Sequence, residues 1–437
     1  MLIIISDLHW TDQPGAAAAS NETVEQLARQ LRRMVEGASW RLGGRYLPLV
    51  RVDLLLLGDC LDMIHSPRWS AHSSSAFSSL RPWDPPEQPG FAERVMQITS
   101  DILHSHQAGC ALLRGLAAGG LTVPPSETPG RPALDAAPIA IPLNIHYMIG
   151  DHDWPLRLPG KAFDAVRQMV VRDLGLSNDP TMPFPHDPAD DGKLLELLRR
   201  HRVMARHGDI FDPLAFGGTR AGSSLADVLI VELFDRFAAQ LAAELAGEMP
   251  PALATGLADM QHVRPMLAAR NWLDGLLTRS CPSPAVRHRV TSIWDQLVEQ
   301  MVDLPIIRRS NEWHPSDLVD GLRRLLTFRK LLSTGGRTGL ASLPINHDAM
   351  IDAYRSHALA EADYRNRRAK HIVYGHTHVA ETIALDASHA DGHVLNQVYL
   401  NAGCWQRVVR PARHGHSPHD FIPYDSMTIL AFYQADE

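Results

Sequence analysis

Apolar residues follow two rhythms along this chain, and the change between them divides it. Leu2 to Ser6 is a short isoleucine-rich run that closes on Asp7-Leu8-His9. That is the pattern of a strand buried on both faces, with polar residues at its C-terminal end. Asn21 to Val35 follows at helical spacing, and Val52 to Leu57 predicts a second buried strand ending in Gly58-Asp59. Strand, helix, strand is how a layered α/β fold begins. Phe91 to Leu116 predicts one helix. Leu143 to Ile149 predicts a strand that stops at Gly150-Asp151-His152-Asp153. Helical spacing returns at 161 to 174 and 193 to 203, and Met204-Ala205-Arg206 then leads to His207-Gly208-Asp209. Residues 64 to 90, with Trp69, His72 and Trp83, and the Pro-rich stretch 123 to 142 keep neither period and read as loops. The first is long enough to serve as a lid.

From about 218 to 366 the strand signal disappears. Leu225 to Leu245, Val286 to Val302, Leu318 to Leu332 and Ala349 to Asp363 carry helical apolar spacing. Strands resume at His371 to Tyr374, Glu381 to Leu385, Val394 to Ala402 and Met427 to Phe432. The expected organisation is an α/β body made from residues 1–217 and 346–437, carrying a helical insertion at 218–345. No internal repeat is visible.

Composition narrows the class. Of 437 residues, 45% are hydrophobic and 21% charged, as in an ordinary globular protein. A net charge of -7 weighs against the nucleic-acid backbone as main partner, since such proteins usually carry a basic excess. The Arg-rich stretches 199–202 and 365–370 read as solvated helix faces. Cys60, Cys110, Cys281 and Cys404 show no metal-knuckle or disulfide spacing, which fits a reducing cytoplasm. The opening apolar run is too short for a secretion signal, and no segment reaches the ~18 to 20 uninterrupted apolar residues of a membrane span. The expectation is a soluble, cytoplasmic chain.

Five motifs stand at strand ends: Asp7-x-His9, Gly58-Asp59-x-x-Asp62, Gly150-Asp151-His152-Asp153, His207-Gly208-Asp209 and Gly375-His376-Thr377-His378. Each alone is a weak signal, but their order and placement are not, because chemistry on open α/β sheets collects at the carboxyl ends of strands. Aspartate oxygen together with imidazole nitrogen suits borderline divalent transition metals; oxygen alone would suit magnesium or calcium. Several histidines with several carboxylates suffice for two ions, and a pair ~3.5 to 4 Å apart is a known solution for displacement at phosphorus.

This ordered set resembles the signature of calcineurin-like metallophosphoesterases, over residues 7 to 378. The resemblance implies a four-layer α/β/β/α sandwich with the helical insertion between the last two motifs. It implies two divalent ions, manganese foremost, with iron, zinc or nickel as alternatives. Asp7, His9 and His378 would hold the first, Asp151, His207 and His376 the second, and Asp59 would bridge. It implies further that His152 faces the substrate and assists the leaving group, that Asp62 orients His152, and that a metal-bridging hydroxide attacks phosphorus. The substrate would be a small phosphorylated molecule: a phosphodiester, pyrophosphate or phosphomonoester.

His207-Gly208-Asp209 followed by Phe211-Asp212 is similar to the corresponding element of UDP-diacylglucosamine pyrophosphohydrolases, although that branch commonly has arginine where this chain has His152. Asp209 and Asp212 read equally well as loop caps. Asp151 also departs from the family's usual asparagine, and an ionised carboxylate there would make the cluster less positive and hold the metals more tightly. Asn401-Ala402-Gly403 resembles the strand and turn that close the family's second sheet. Cys60 and Cys404 read as buried small hydrophobes. His65, His72 and His146 remain candidates for substrate contact. The alternatives are a nuclease or protein phosphatase of the same superfamily, or a non-catalytic scaffold on that fold. The helical insertion could also join copies of the chain into a homo-oligomer.

Overall fold

A computed structural model describes residues 1–12, 21–41, 43–69, 80–127, 130–308, 318–327, 347–390, 393–412, 417 and 419–434. His72 and residues 328–346, with the end of the helix expected over Leu318 to Leu332, lie outside these. The fold is mixed α/β, as the two rhythms require.

Two four-stranded sheets form the centre. The first runs in the order Leu430–Phe432, Leu2–Ile5, Val52–Leu57, Leu143–Met148. Its last three strands are parallel, and the C-terminal strand pairs antiparallel at the edge. The second runs Ala380–Ala390, His393–Ala402, His371–Tyr374, Val203–Ala205, again with three parallel strands and one antiparallel edge. Parallel pairing has a direct consequence for chemistry. Strands that point the same way deliver their C-terminal loops to the same edge, so Asp7, Asp59 and Asp151 emerge side by side from one sheet, and His207 and His376 from the other.

Alternation along the strands sorts the buried residues into layers. Ile3, Ile5, Leu54, Leu56, Ile145 and Tyr147 pack on helices Asn21–Ala38, Phe91–Ser105 and Gln107–Gly119 through Leu27, Leu31, Ile98, Ile102 and Leu113. Their neighbours Leu2, Ile4, Leu55, Leu57 and Met148 share a cluster with Val203, Ala205, Val373 and Ala402 of the second sheet. The far face of the second sheet offers Met204, Ile372, Tyr374 and Tyr399 to Met350, Tyr354 and Ala358 of helix His347–Ala360. A strand with both faces covered must be apolar at every position, which is why Leu2–Ile5 and Val52–Leu57 read as unbroken runs. Each such side chain contributes roughly 1.5–3 kcal/mol of burial.

The helical segment does not have a core of its own. Leu225–Val228 and Arg236–Glu244, joined by the wider π-helical turns of Leu229–Asp235, pack with Ala269–Ser280, Pro284–Val302 and Leu318–Thr327 around Trp294. The Trp294 indole sits between Phe234 and Phe237 and donates to the Leu326 carbonyl at 2.8 Å. These residues belong to the same contiguous apolar cluster as the first sheet and its helices.

Some expectations need correction. The single helix predicted over Phe91 to Leu116 is two helices, because His106 leaves the helical path to stack on Trp10 and bond the Thr11 carbonyl. The helix predicted to reach 203 ends at Arg200, with Arg202 turning through a left-handed conformation into strand Val203–Ala205. The stretch 123 to 142 contains short hairpin pairings, and the strands Arg407–Pro411 and Phe421–Asp425 were not anticipated. Within residues 64 to 90, a 3-10 turn at Pro67–Trp69 buries Trp69 against the core. Among the described residues no helix is long and apolar enough to cross a membrane.

Candidate metal centre

The turns that follow the strands are unusual in their backbone. Asp7, His9, Asp59, His376 and His378 all have φ between 46° and 65°, the left-handed region. Among the described residues only Arg202 and Arg367 otherwise place a non-glycine side chain there. Each such residue costs roughly 1–3 kcal/mol, and the surrounding structure must impose it. Here the imposition is visible. Asp7 and His9 donate their backbone N–H groups to the carbonyls of Gly58 and Asp59 at 3.1 and 2.9 Å, so two motifs are laced together. The Gly375 N–H donates to the His207 carbonyl at 2.7 Å, and the His376 N–H to Asp7 Oδ2 at 3.2 Å. Asn401 holds the same turn by donating to the Gly375 carbonyl at 2.8 Å. The motif glycines answer to space: a Cβ on Gly150 would collide with Asp59 Oδ1 and the His207 ring, and one on Gly375 with Ser6 Oγ and Asp7 Oδ2.

All seven expected ligands arrive in one place. Asp59, Asp151, His207 and His376 form one group of converging donor atoms, and Asp7, His9 and His378 another. Asp59 touches both, with Oδ2 at 3.1 Å from His207 Nε2 and 3.6 Å from His9 Nε2. His207 Nδ1 bonds the Leu57 carbonyl at 2.9 Å, which makes Nδ1 the N–H and turns the Nε2 lone pair toward Asp59 and toward Asp151 Oδ1 at 3.2 Å. Two carboxylate oxygens facing a ring lone pair repel it unless a proton or a cation lies among them. The second group repeats the pattern. His9 Nδ1 bonds Asp62 at 2.9 Å, leaving its Nε2 lone pair 3.1 Å from His378 Nε2, which also lies 3.2 Å from Asp7 Oδ1. These nitrogen and oxygen donors are compatible with divalent metal ions, which coordinate through lone pairs that would otherwise oppose one another.

The electrostatics agree. Against the cost of burial, His207, His378 and His9 hold the Asp7 carboxyl well below the usual carboxylate range. Burial likewise works against Asp151, which His376 and His207 hold low. Burial disfavours a charged His207, yet Asp59 and Asp7 raise it well above an ordinary imidazole. A site that attracts protons this strongly attracts cations for the same reason.

His152 stands beside these groups. Its N–H backbone donates to Asp59 Oδ1 at 2.9 Å, and its Nδ1 pairs with Asp62 Oδ1 at 2.8 Å. Asp62 thus braces both His152 and His9. Burial opposes charge on His152, but Asp62 and Asp59 lift its pKa to about 10. His65 stacks on His152 with ring centroids 5.8 Å apart, and pairs with Asp235 at 3.1 Å. His146 by contrast bonds Asp53 at 3.1 Å within the sheet. Asp212 accepts from Leu214 N as a cap and also lies 3.2 Å from His376 Nε2. Asp209 pairs with His186 and Arg220. Cys60 and Cys404 are buried, and burial pushes both thiols up.

Sequence reasoning missed several neighbours. Gln406 meets His378 Nδ1 at 3.0 Å, and Arg264, from the helical segment, lies 3.3 Å from His378 Nε2. His262, beside it, is buried, and burial with Arg264 nearby pushes its pKa down to about 3. Asp153 knits the third motif by accepting from Gly150 N at 2.6 Å, Tyr147 at 2.5 Å and Cys60 N at 3.1 Å. Burial and Asp59 raise its pKa to about 7. Only Asp153 had a signal to follow, as the last residue of a motif. A cavity is lined by Asp59, Asp151, His152, His376 and His378. The chain matches no protein-family model and no curated protein.

Proposed function

We propose that this chain is a dinuclear metal-dependent phosphoric ester hydrolase of the calcineurin-like metallophosphoesterase type, acting on a phosphodiester, pyrophosphate or phosphomonoester. The observation that carries the proposal is the meeting of Asp7, His9 and His378 with Asp59, Asp151, His207 and His376 in two adjoining donor groups beneath one cavity. The order of layers supports it as well: helices, first sheet, second sheet, helix is the sequence expected of the four-layer sandwich.

Asp7, His9 and His378 would hold one cation, and Asp151, His207 and His376 the other, with Asp59 shared. Bound divalent cations supply Lewis-acid polarisation of phosphoryl oxygens and acidify water. The chain's own residues supply the rest. Leu57, through its carbonyl, fixes the tautomer of His207, and Asp62 fixes that of His9. Asp62 also accepts from His152 Nδ1, so His152, which lines the cavity, can carry a proton at Nε2. There it can protonate a departing oxygen.

Metal analysis of the purified protein, followed by assay of aryl phosphomonoesters, phosphodiesters and pyrophosphates with manganese, tests the proposal. Transition metal near two per chain and turnover of at least one substrate are expected. His152→Ala should lower turnover about 10²- to 10⁴-fold while the metal stays bound. A chain that binds no metal and turns over none of these would instead be a scaffold.

A further inference from the structure

Arg264 is a cation placed where cations are to bind. Its Nη2 lies 3.3 Å from His378 Nε2, a nitrogen that the proposed function gives to a metal. Its Nη1 donates to the Gln261 and Val263 carbonyls at 2.7 and 3.0 Å. Among the described residues no carboxylate forms an ion pair with it. The position is held from the backbone: Arg264 N donates to the Val409 carbonyl at 2.8 Å, Val263 bridges to Val409, and Arg407 pairs with Asp259 at 2.9 Å. Asp7, Asp62 and Asp151 attract this guanidinium through space, yet none of them pairs with it directly. Its Nη2 therefore faces the centre with no carboxylate bonded to it, a position suited to an anionic ligand.

The cavity walls describe the rest of that ligand. Pro265, Met266 and Leu267, the residues directly after Arg264, line it together with Leu214, Ala226 and Met350. Charged and apolar side chains thus line the same cavity, as in sites that take a small organic ligand.

Resting on the hydrolase reading, we propose that Arg264 and this apolar wall form a substrate subsite for a phosphate ester with a compact apolar substituent, such as an aryl or short branched alkyl group. Arg264 binds a phosphoryl oxygen by a charge-assisted hydrogen bond, and Met266, Leu267 and Leu214 enclose the substituent. Polar sugar phosphates would leave their hydroxyls unpaired against that wall and bind less well.

The test uses two phosphonates that the enzyme cannot hydrolyse, phenylphosphonate and methylphosphonate, titrated calorimetrically into the manganese-loaded protein. Phenylphosphonate should bind about tenfold tighter, from burial of the ring. Arg264→Gln should weaken both by about tenfold or more, and Arg264→Lys should restore part of the loss. Met266→Ser, at a partly buried position, should weaken phenylphosphonate more than methylphosphonate and so cut the preference for phenyl; far-ultraviolet circular dichroism checks that each variant is folded. Equal affinity for the two phosphonates, or unchanged affinity in Arg264→Gln, overturns the subsite. If either result comes with turnover of aryl phosphates, the hydrolase reading survives and the subsite alone fails. A phenyl preference without turnover of any phosphate ester would sink the hydrolase reading and leave the subsite standing.

Discussion

The α/β body and the helical segment both face the cavity, but they reach it differently. The body places its side chains on turns directly beyond parallel strands, several with left-handed backbone, each tied to the next by main-chain hydrogen bonds. The helical segment places Arg264, Met266 and Leu267 on one connection between helices, held by its pairing with Val409 and by helices that pack around Trp294. Main-chain hydrogen bonds between turns thus govern the metal donors, while side-chain packing governs what surrounds them. Damage to the two regions should therefore look different.

The largest effect is expected at Asp59, the carboxylate common to both donor groups. Asp59→Asn should weaken metal binding by more than about a hundredfold and abolish turnover, with the fold retained; metal stoichiometry after dialysis reads this. A variant that keeps both metals would break the idea that Asp59 joins the two groups. In the helical segment the damage should be to stability. Trp294→Ala removes a fully buried indole and should cost about 3–5 kcal/mol in urea unfolding, with metal stoichiometry unchanged in the folded protein. Loss of metal in that variant would erase the distinction between the regions.

A smaller effect sharpens the contrast within the body, away from the cavity. Asp53 is buried, and against that burial His146, Asn144 and Arg51 hold its pKa below the ordinary value. A folded-state pKa depressed below the unfolded one stabilises the fold above the unfolded value of about 3.9 and loses that contribution as pH falls through the folded value. Asp53→Asn should therefore cost about 1 kcal/mol near neutral pH. The gap between variant and parent should close as unfolding is measured at progressively lower pH below about 4. A gap that stays constant with pH would show that packing rather than charge makes the contribution.

Legibility followed the range of the interactions. Strands Val52–Leu57 and His371–Tyr374 and helix Lys161–Leu174 have the bounds their periodicity predicts, because burial on both faces or along one stripe is written into consecutive residues. The break at His106 was invisible, since its cause is a stack on Trp10, far off in sequence. Arg407–Pro411 and Phe421–Asp425 carry too many polar residues and prolines to stand out as strands. The donor residues were legible as motifs. Arg264, Gln406 and Asp235 were not, because each is a lone polar residue whose meaning comes only from the ring it meets.

From the order of residues alone came the α/β class, the helical character of the middle of the chain, and donor chemistry at the ends of strands. These are local properties, set by the alternation of apolar side chains and by where it stops. Only the folded chain decided that the ends of two separate sheets face each other, that Asp59 stands between two sets of ligands, and that an arginine and an apolar wall lie over them. Those relations join residues hundreds of positions apart, and they exist only once the sheets share a core and the helices pack over its edge.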